Sequence, residues 1–213
     1  IREPFGIHYR FFLQIVMEGI SPQKHAIGVG TMAIDPGVST MASYNGSKLS
    51  FKELAPDVNK YQEKVIKEQN RLSKLTRINN PECYDDKGVH IKGMRIQYSE
   101  SMKRAKMRLR TAYRKQRVYV EQSNNNLANE WLEASGSVVK IETMSYKGLQ
   151  KKSSKTERQD KESAVTNKTG RKHSIRKFKR RKRFGGSILK HAPSGFLYTI
   201  KRKVTATCGI VID

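Results

Sequence analysis

The sequence contains few cysteines, few acidic residues and no long apolar run. Its two cysteines, Cys83 and Cys208, lie far apart and in no paired spacing, which excludes a disulfide framework and a zinc site built on cysteine pairs. We therefore expect a reducing intracellular compartment. No apolar run approaches the roughly 18 residues that cross a bilayer, and residues 1–4 lack the layout of a signal peptide, so no membrane is expected as a partner.

Acidic residues are scarce relative to basic ones. The 213 residues include 43 Lys and Arg but 19 Asp and Glu, which gives a formal charge of +24 and a pI near 10.2. A charge of this size repels itself unless phosphates or counterions neutralise it, so nucleic acid is the expected partner. Hydrophobic residues make up 36% of the chain and fall in blocks, which favours one folded domain over a disordered tail.

Short apolar segments separated by turn residues predict strands in the first 54 residues. The segment from Tyr9 to Glu18 predicts a strand within a lead-in from a preceding domain, over residues 1–29. Further strands are predicted over 31–35, 39–44 and 48–54, and Asn45 with Gly46 is a strong hairpin signal between the last two. These three strands form an antiparallel meander.

After Pro56 the apolar residues recur at helical spacing. They predict an amphipathic helix that ends before Asn79 and a second helix of about forty residues that ends near Gly136. At about 1.5 Å per residue the second helix is longer than a small core, so we expect a projecting helical hairpin over about residues 57–135. Its lower end is expected to pack on the sheet, with Trp131 in the core.

The remaining pattern predicts a short strand over 138–141, a helical segment over 187–202 and a buried strand over 209–212. Between them, the scarcity of apolar residues over 151–177 predicts a segment that is irregular when no partner is bound. His173 and His191 lie in or beside this region without metal-ligand spacing, so we expect them to contact phosphate or solvent.

Most of the positive charge falls in one part of the chain. Residues 147–203 contain 20 basic and 3 acidic residues, and we expect the remaining +7 to be spread over the folded body. A solvated or localisation tract is the alternative, but a solvated face normally mixes both signs. We therefore predict a basic segment, about residues 147–183, that binds nucleic-acid phosphates through Lys151, Lys152, Arg171, Lys172, Arg176, Lys177, Lys179, Arg180, Arg181, Lys182 and Arg183.

Two carboxylates directly follow apolar strands, Asp35 after residues 32–34 and Glu142 after residues 138–141. Neighbouring strands can bring them together, and a close pair of like charges persists only with a cation between them. Mg²⁺ or Mn²⁺ suits oxygen ligands and phosphodiester chemistry. The alternative is that Asp35, which precedes Pro36 and Gly37, only caps a turn, and that Glu142 is an ordinary surface acid.

The order of acid, meander, helices, strand and acid predicts an α/β fold, an RNase H-like mixed sheet with an inserted long helical hairpin, over residues 30–213. Four segments resemble the RuvC-like nuclease region of TnpB proteins, which insertion sequences encode and which are related to compact type V CRISPR effectors, so the resemblance implies the RuvC form of this fold. The segments are AIDPGVSTMASY around Asp35, NNNLANEWL at 124–132, VVKIETMSYKGLQKK at 138–152 and RFGGSILKHAPSGFLYTIKRKV at 183–204. The resemblance covers roughly residues 9–213.

This resemblance implies an RNA-guided, divalent-metal-dependent DNA endonuclease domain, with a DNA target and a guide RNA as partners, in the prokaryotic cytoplasm at the nucleoid. Asp35 and Glu142 would be the first two acids of a metal triad. The third acid is expected after a further strand, so Asp213 is not expected to be that ligand and the domain is expected to be incomplete at its carboxyl end. The paired CxxC motifs of a zinc ribbon are absent from the sequence, so no zinc is predicted.

Two other functions remain open at this point. A catalytically inactive RNase H-like module would bind nucleic acid through the same scaffold without cleaving it. A sugar-kinase or actin-like ATPase is suggested by Asp35-Pro36-Gly37 followed by Ser39 and Thr40, which resembles the first phosphate loop of that group. The second Asp-Gly phosphate loop of such ATPases is absent from the sequence.

Overall fold

The computed structural model describes residues 1–5, 8–19, 25–86, 88–134, 136–150, 158–166, 172–178 and 184–213. The protein is a mixed α/β structure with a five-stranded mixed sheet and long helices. The strands are β1 (Arg2–Phe5), β2 (His8–Phe11), β3 (Thr31–Pro36), β4 (Thr40–Tyr44), β5 (Leu49–Glu53), β6 (Val138–Ile141), β7 (Arg158–Thr166), β8 (Lys172–Phe178) and β9 (Ile210–Ile212). The helices are α1 (Val58–Asn79), α2 (Glu100–Ala134), α3 (Tyr146–Gln150), α4 (Gly185–His191) and α5 (Pro193–Ala206).

The central sheet has the strand order β5-β4-β3-β6-β9. Strands β3, β4 and β5 form the predicted antiparallel meander, while β6 runs parallel to β3 and β9 runs parallel to β6. The predicted Asn-Gly turn joins β4 to β5, where Asn45 accepts a 2.8 Å hydrogen bond from the Lys48 amide and Gly46 takes a φ of +89°. The predicted strand over 138–141 is β6 at the same bounds.

One face of the sheet packs against helices because its strands alternate apolar and polar side chains. In β3, Met32 and Ile34 are buried while Ala33 and Asp35 are exposed. The buried side chains from β3 and β6 pack against the carboxyl-terminal part of α2 and against α5. Trp131 of α2 meets Phe196 of α5 edge to face, with ring centroids 5.5 Å apart, so the prediction that Trp131 belongs to the core is confirmed.

The predicted helical hairpin is formed by α1 and α2. The last third of α2 packs on the sheet, whereas the part before it, as far as Val120, pairs with α1 and reaches β1 through an Arg114–Glu3 ion pair of 3.4 Å. The turn between the helices is organised by the fully buried Asn80, whose side-chain oxygen accepts a 2.7 Å hydrogen bond from the Gln97 amide.

Two strand predictions are wrong in part. The strand expected from Tyr9 to Glu18 ends at Phe11, where the pairing with β1 stops, and residues 12–18 have no strand partner among the described residues. The strand expected to be buried at residues 209–212 is β9, an edge strand with Ile210 57% exposed and Ile212 46% exposed. Residues 12–18 are exposed. In β9, Val211 packs against the core, whereas Ile210 and Ile212 lie on the opposite face of the sheet because side chains alternate along a strand.

Three predictions for the later part of the chain also need correction. The helical segment expected over 187–202 is two helices that meet at Ala192 (φ +49°), because Pro193 disfavours helical backbone in the residue before it. The segment expected to be irregular over 151–177 contains the antiparallel pair β7–β8; residues 151–157 and 167–171 lie outside the described residues. His191 is 6% exposed rather than on the surface, and its ring contacts the Leu54 carbonyl.

None of the described helices combines the length and the apolar character that a bilayer-spanning segment needs. Both cysteines are free, with Cys83 buried and Cys208 exposed.

Candidate active site

The two predicted carboxylates lie at the same edge of the sheet. Strands β3 and β6 are parallel with Ile34 opposite Ile141, and the Glu142 amide donates a 3.2 Å hydrogen bond to the Ile34 carbonyl. Asp35 follows Ile34 within β3, Glu142 follows Ile141 directly after β6, and both side chains are exposed. The buried residue before each acid faces the helices, and successive side chains of a strand point to opposite faces of the sheet. The side chains of both acids therefore lie on the face away from the helices. We refer to Asp35 and Glu142 as the carboxylate pair.

The carboxylate pair opens into a cleft of about 500 Å³ on that face of the sheet. Asp213 lines the same cleft, together with apolar side chains that include Tyr44 and Phe51. A second cleft, of about 310 Å³, begins at Glu142 and Asp213 and extends toward α5. The carboxylate pair therefore borders open space on this side of the sheet.

Asp213 lies close to the pair in the fold but has its own partner. The register of β6 with β9 aligns Lys140 with Ile212, so Asp213 stands level with Ile141, one residue short of Glu142. Lys201 of α5 donates a 2.6 Å hydrogen bond to the Asp213 carboxylate. Within the described part of the chain, no three His, Cys, Asp or Glu side chains are close enough together to hold a metal ion.

The turn after Asp35 is fixed by Gly37. The Gly37 amide donates a 3.0 Å hydrogen bond to the Thr40 carbonyl, and a Cβ placed on Gly37 would lie 2.4 Å from that oxygen. No larger residue fits without moving the backbone. The turn that carries Asp35 thus depends on glycine for its close approach to the start of β4.

Tyr146 is a neighbour of Asp35 that sequence reasoning missed. Its hydroxyl donates a 3.1 Å hydrogen bond to the Gly37 carbonyl and so ties α3 to the turn after Asp35. Burial, and then the negative charge of Asp35, raise the pKa of Tyr146 to about 12. The residue lies within the segment 138–152 that carries the family resemblance, but nothing in its own spacing or charge singled it out.

The donor chemistry of the carboxylate pair fits a hard divalent cation. Neither Asp35 nor Glu142 forms an ion pair with any other described residue. Mg²⁺ is commonly held by one or two carboxylates, with waters and substrate phosphates completing its coordination. Two free carboxylates on adjacent strands beside an open cleft match that requirement for one ion.

Most of the basic residues predicted to bind nucleic acid lie outside the part of the chain that the structure describes. The backbone positions of Lys172, Arg176 and Lys177 are on β8, which pairs with β7. The others lie outside the described residues: Lys151, Lys152, Arg171, Lys179, Arg180, Arg181, Lys182 and Arg183. Their role in binding stays a prediction.

No protein-family model matches this chain, and no curated protein matches it significantly.

Proposed function

We infer that the chain is a RuvC-like nuclease domain that cleaves DNA with a divalent metal and an RNA guide, as in TnpB-like transposon-associated proteins. The observation that carries this proposal is the position of the carboxylate pair. Asp35 and Glu142 are about 100 residues apart in sequence, yet they follow paired residues of two adjacent parallel strands. Both side chains lie on the same face of the sheet and line the same cleft.

The order of elements supports an RNase H-like fold as part of the proposal. Asp35 lies near the end of β3, the first strand of the meander, and the long helical hairpin comes after the meander. Glu142 directly follows β6, which lies parallel beside β3. The sequence predicts this order of acids, strands and helices for an RNase H-like nuclease. A sheet alone does not imply a function, so the proposal rests on the acids rather than on the strand order.

The residues of the chain would share the work of cleavage. Asp35 and Glu142 would hold Mg²⁺, which when bound supplies an activated water and charge stabilisation at the scissile phosphate. Tyr146 and the Gly37 turn would fix the backbone that carries Asp35. The basic segment, about residues 147–183, would hold the phosphates of the nucleic acid.

The test is cleavage of a DNA target by the full-length protein with its guide RNA in Mg²⁺. Asp35→Ala and Glu142→Ala should each abolish cleavage and leave nucleic-acid binding nearly unchanged. Glu121→Ala, an exposed acid of α2, is the matched control and should cleave like the wild type. Retained cleavage in either active-site variant would rule the proposal out.

A catalytically inactive RNase H-like binding module is the second candidate. It is favoured because Asp213, the other acid that lines the cleft, pairs with Lys201, so the described residues supply two unpaired carboxylates there rather than three. Under this alternative the full-length protein binds nucleic acid equally well with and without EDTA and produces no cleavage in Mg²⁺. The two candidates therefore predict different results in the same cleavage assay.

A further inference from the structure

The helical hairpin carries a groove between its two helices that no motif in the sequence pointed to. Four cations line it, Lys64 and Lys67 from α1 and Arg108 and Lys115 from α2, and its volume is about 270 Å³. One acid, Glu68, also lines it. We call these four cations and the space between them the hairpin groove.

Some cations of the hairpin have a carboxylate partner, and the groove cations are not among them in the part of the chain that the structure describes. Lys60 pairs with Asp57 at 2.7 Å, Lys103 with Glu100 at 2.7 Å and Arg117 with Glu121 at 3.7 Å. In contrast, Lys64, Lys67, Arg108 and Lys115 form no ion pair with any carboxylate that the structure describes. With four cations against the one acid Glu68, the groove keeps a net positive charge that an external anion can neutralise.

The hairpin carries most of the positive charge that lies outside residues 147–203. Residues 58–134 contain 17 basic and 9 acidic residues, a net of +8. Outside this stretch and outside residues 147–203, the chain has 6 basic and 7 acidic residues. The expected +7 is therefore not spread evenly over the folded body, because the hairpin carries it and the rest is close to neutral.

The spacing of the cations suits a chain of phosphates. With a rise of about 1.5 Å per residue, Lys64 and Lys67 are about 4.5 Å apart along α1, and Arg108 and Lys115 are about 10 Å apart along α2. Each strand of duplex DNA carries one charge about every 3.4 Å along the helix axis, so about 10 Å of groove corresponds to about three phosphates of one strand. A single small anion would leave most of this positive surface unused.

The aromatic side chain of the groove is already engaged within the protein. Tyr61 stacks on Tyr119, with ring centroids 4.6 Å apart and planes at 17°, and the Lys64 ammonium lies 5.6 Å from the centre of its ring. The ring is therefore poorly placed to stack on a base. Phosphate contact, rather than base recognition, is the chemistry that the groove offers.

We propose that the hairpin groove binds the sugar-phosphate backbone of a nucleic acid, without sequence preference, at a site separate from the basic segment and from the carboxylate pair. This proposal rests on the proposed function in one respect only, the choice of nucleic acid as the class of ligand. A chain with no nuclease activity would still bind nucleic acid there.

The test measures binding rather than cleavage, with the full chain in EDTA. The ligands are a fluorescein-labelled 20-base-pair DNA duplex and a 20-nucleotide RNA, each titrated at several salt concentrations by fluorescence anisotropy. The groove variant changes Lys64, Lys67, Arg108 and Lys115 together to Gln. The matched control changes four carboxylate-paired cations to Gln and so alters the net charge equally: Lys52, Lys60, Lys103 and Arg117.

The groove variant should bind at least one ligand about tenfold more weakly or worse at 0.1 M salt, and its plot of log affinity against log salt should be shallower by about 3 for duplex DNA. The control should lose less than about threefold. Equal losses in the two variants would show that only total charge matters and would overturn the proposal. An altered oligomeric mass with unchanged affinity would instead assign the groove to self-association. Because EDTA prevents metal-dependent cleavage, failure here is distinguishable from failure of the nuclease proposal.

Discussion

Replacing Tyr146 with Phe removes one hydroxyl from the support of Asp35 and leaves the ring in place. The lost hydrogen bond to the Gly37 carbonyl is 3.1 Å long and joins two neutral groups. Such a bond contributes about 1 kcal/mol to the free energy of unfolding. For a chain of this length that loss lowers the Tm by roughly 2–4 °C. Urea and thermal denaturation at pH 7, followed by circular dichroism, measure both quantities.

The same variant tests the pKa of Tyr146. Burial, and less strongly the charge of Asp35, raise this pKa from an ordinary 10.0 to about 12. A raised pKa in the folded state means that the unfolded chain loses the phenol proton first. The stability that Tyr146 contributes is therefore complete below about pH 10 and is lost as the pH rises through about 12.

An alkaline titration followed by phenolate absorbance separates this contribution from that of the other tyrosines. The wild type should show a phenol that titrates near pH 12, and Tyr146→Phe should lack it. Asp35→Asn should lower the pKa of Tyr146 only partly, since burial is the larger cause. Unchanged stability at pH 7, together with an unchanged alkaline titration in Tyr146→Phe, would refute the reasoning.

Two further substitutions test the turns that hold the fold. Gly37→Ala places a Cβ 2.4 Å from the Thr40 carbonyl oxygen, so we expect the free energy of unfolding to fall by about 1–3 kcal/mol in urea denaturation. An unchanged urea midpoint would contradict the close approach. Asn80→Ala leaves the Gln97 amide without its partner, so we expect a loss of about 1–3 kcal/mol and faster hydrogen exchange at that amide. Asn70→Ala, at an exposed position of α1, is its control, and equal effects of the two would argue against a special role for Asn80.

The elements predicted well from sequence are those whose pattern is local. The meander, β6, α1 and α2 follow from alternation, helical spacing and turn residues, and their bounds agree with prediction to within a few residues. The relation of Asp35 to Glu142 could be anticipated because each acid directly follows a strand. A parallel register between those strands is then enough to bring the acids together.

The features that sequence missed depend on contacts between distant parts of the chain. Tyr146 matters because α3 places its hydroxyl on the Gly37 carbonyl, 109 residues away in sequence. His191 is buried with its ring hydrogen-bonded to the Leu54 carbonyl, although it lies within the basic stretch 147–203. The hairpin groove forms only when α1 and α2 lie side by side, so charges about 50 residues apart become one surface.

The central claim is that Asp35 and Glu142 together hold a divalent cation. Binding of Mn²⁺ to the full chain, followed by the loss of free-ion signal in electron paramagnetic resonance, tests it without requiring cleavage. Asp35→Asn and Glu142→Gln should each weaken Mn²⁺ binding at least about tenfold, and Mg²⁺ should compete for the wild-type site. Glu121→Gln should bind Mn²⁺ like the wild type. Equal Mn²⁺ affinity in the wild type and in both active-site variants would contradict the claim.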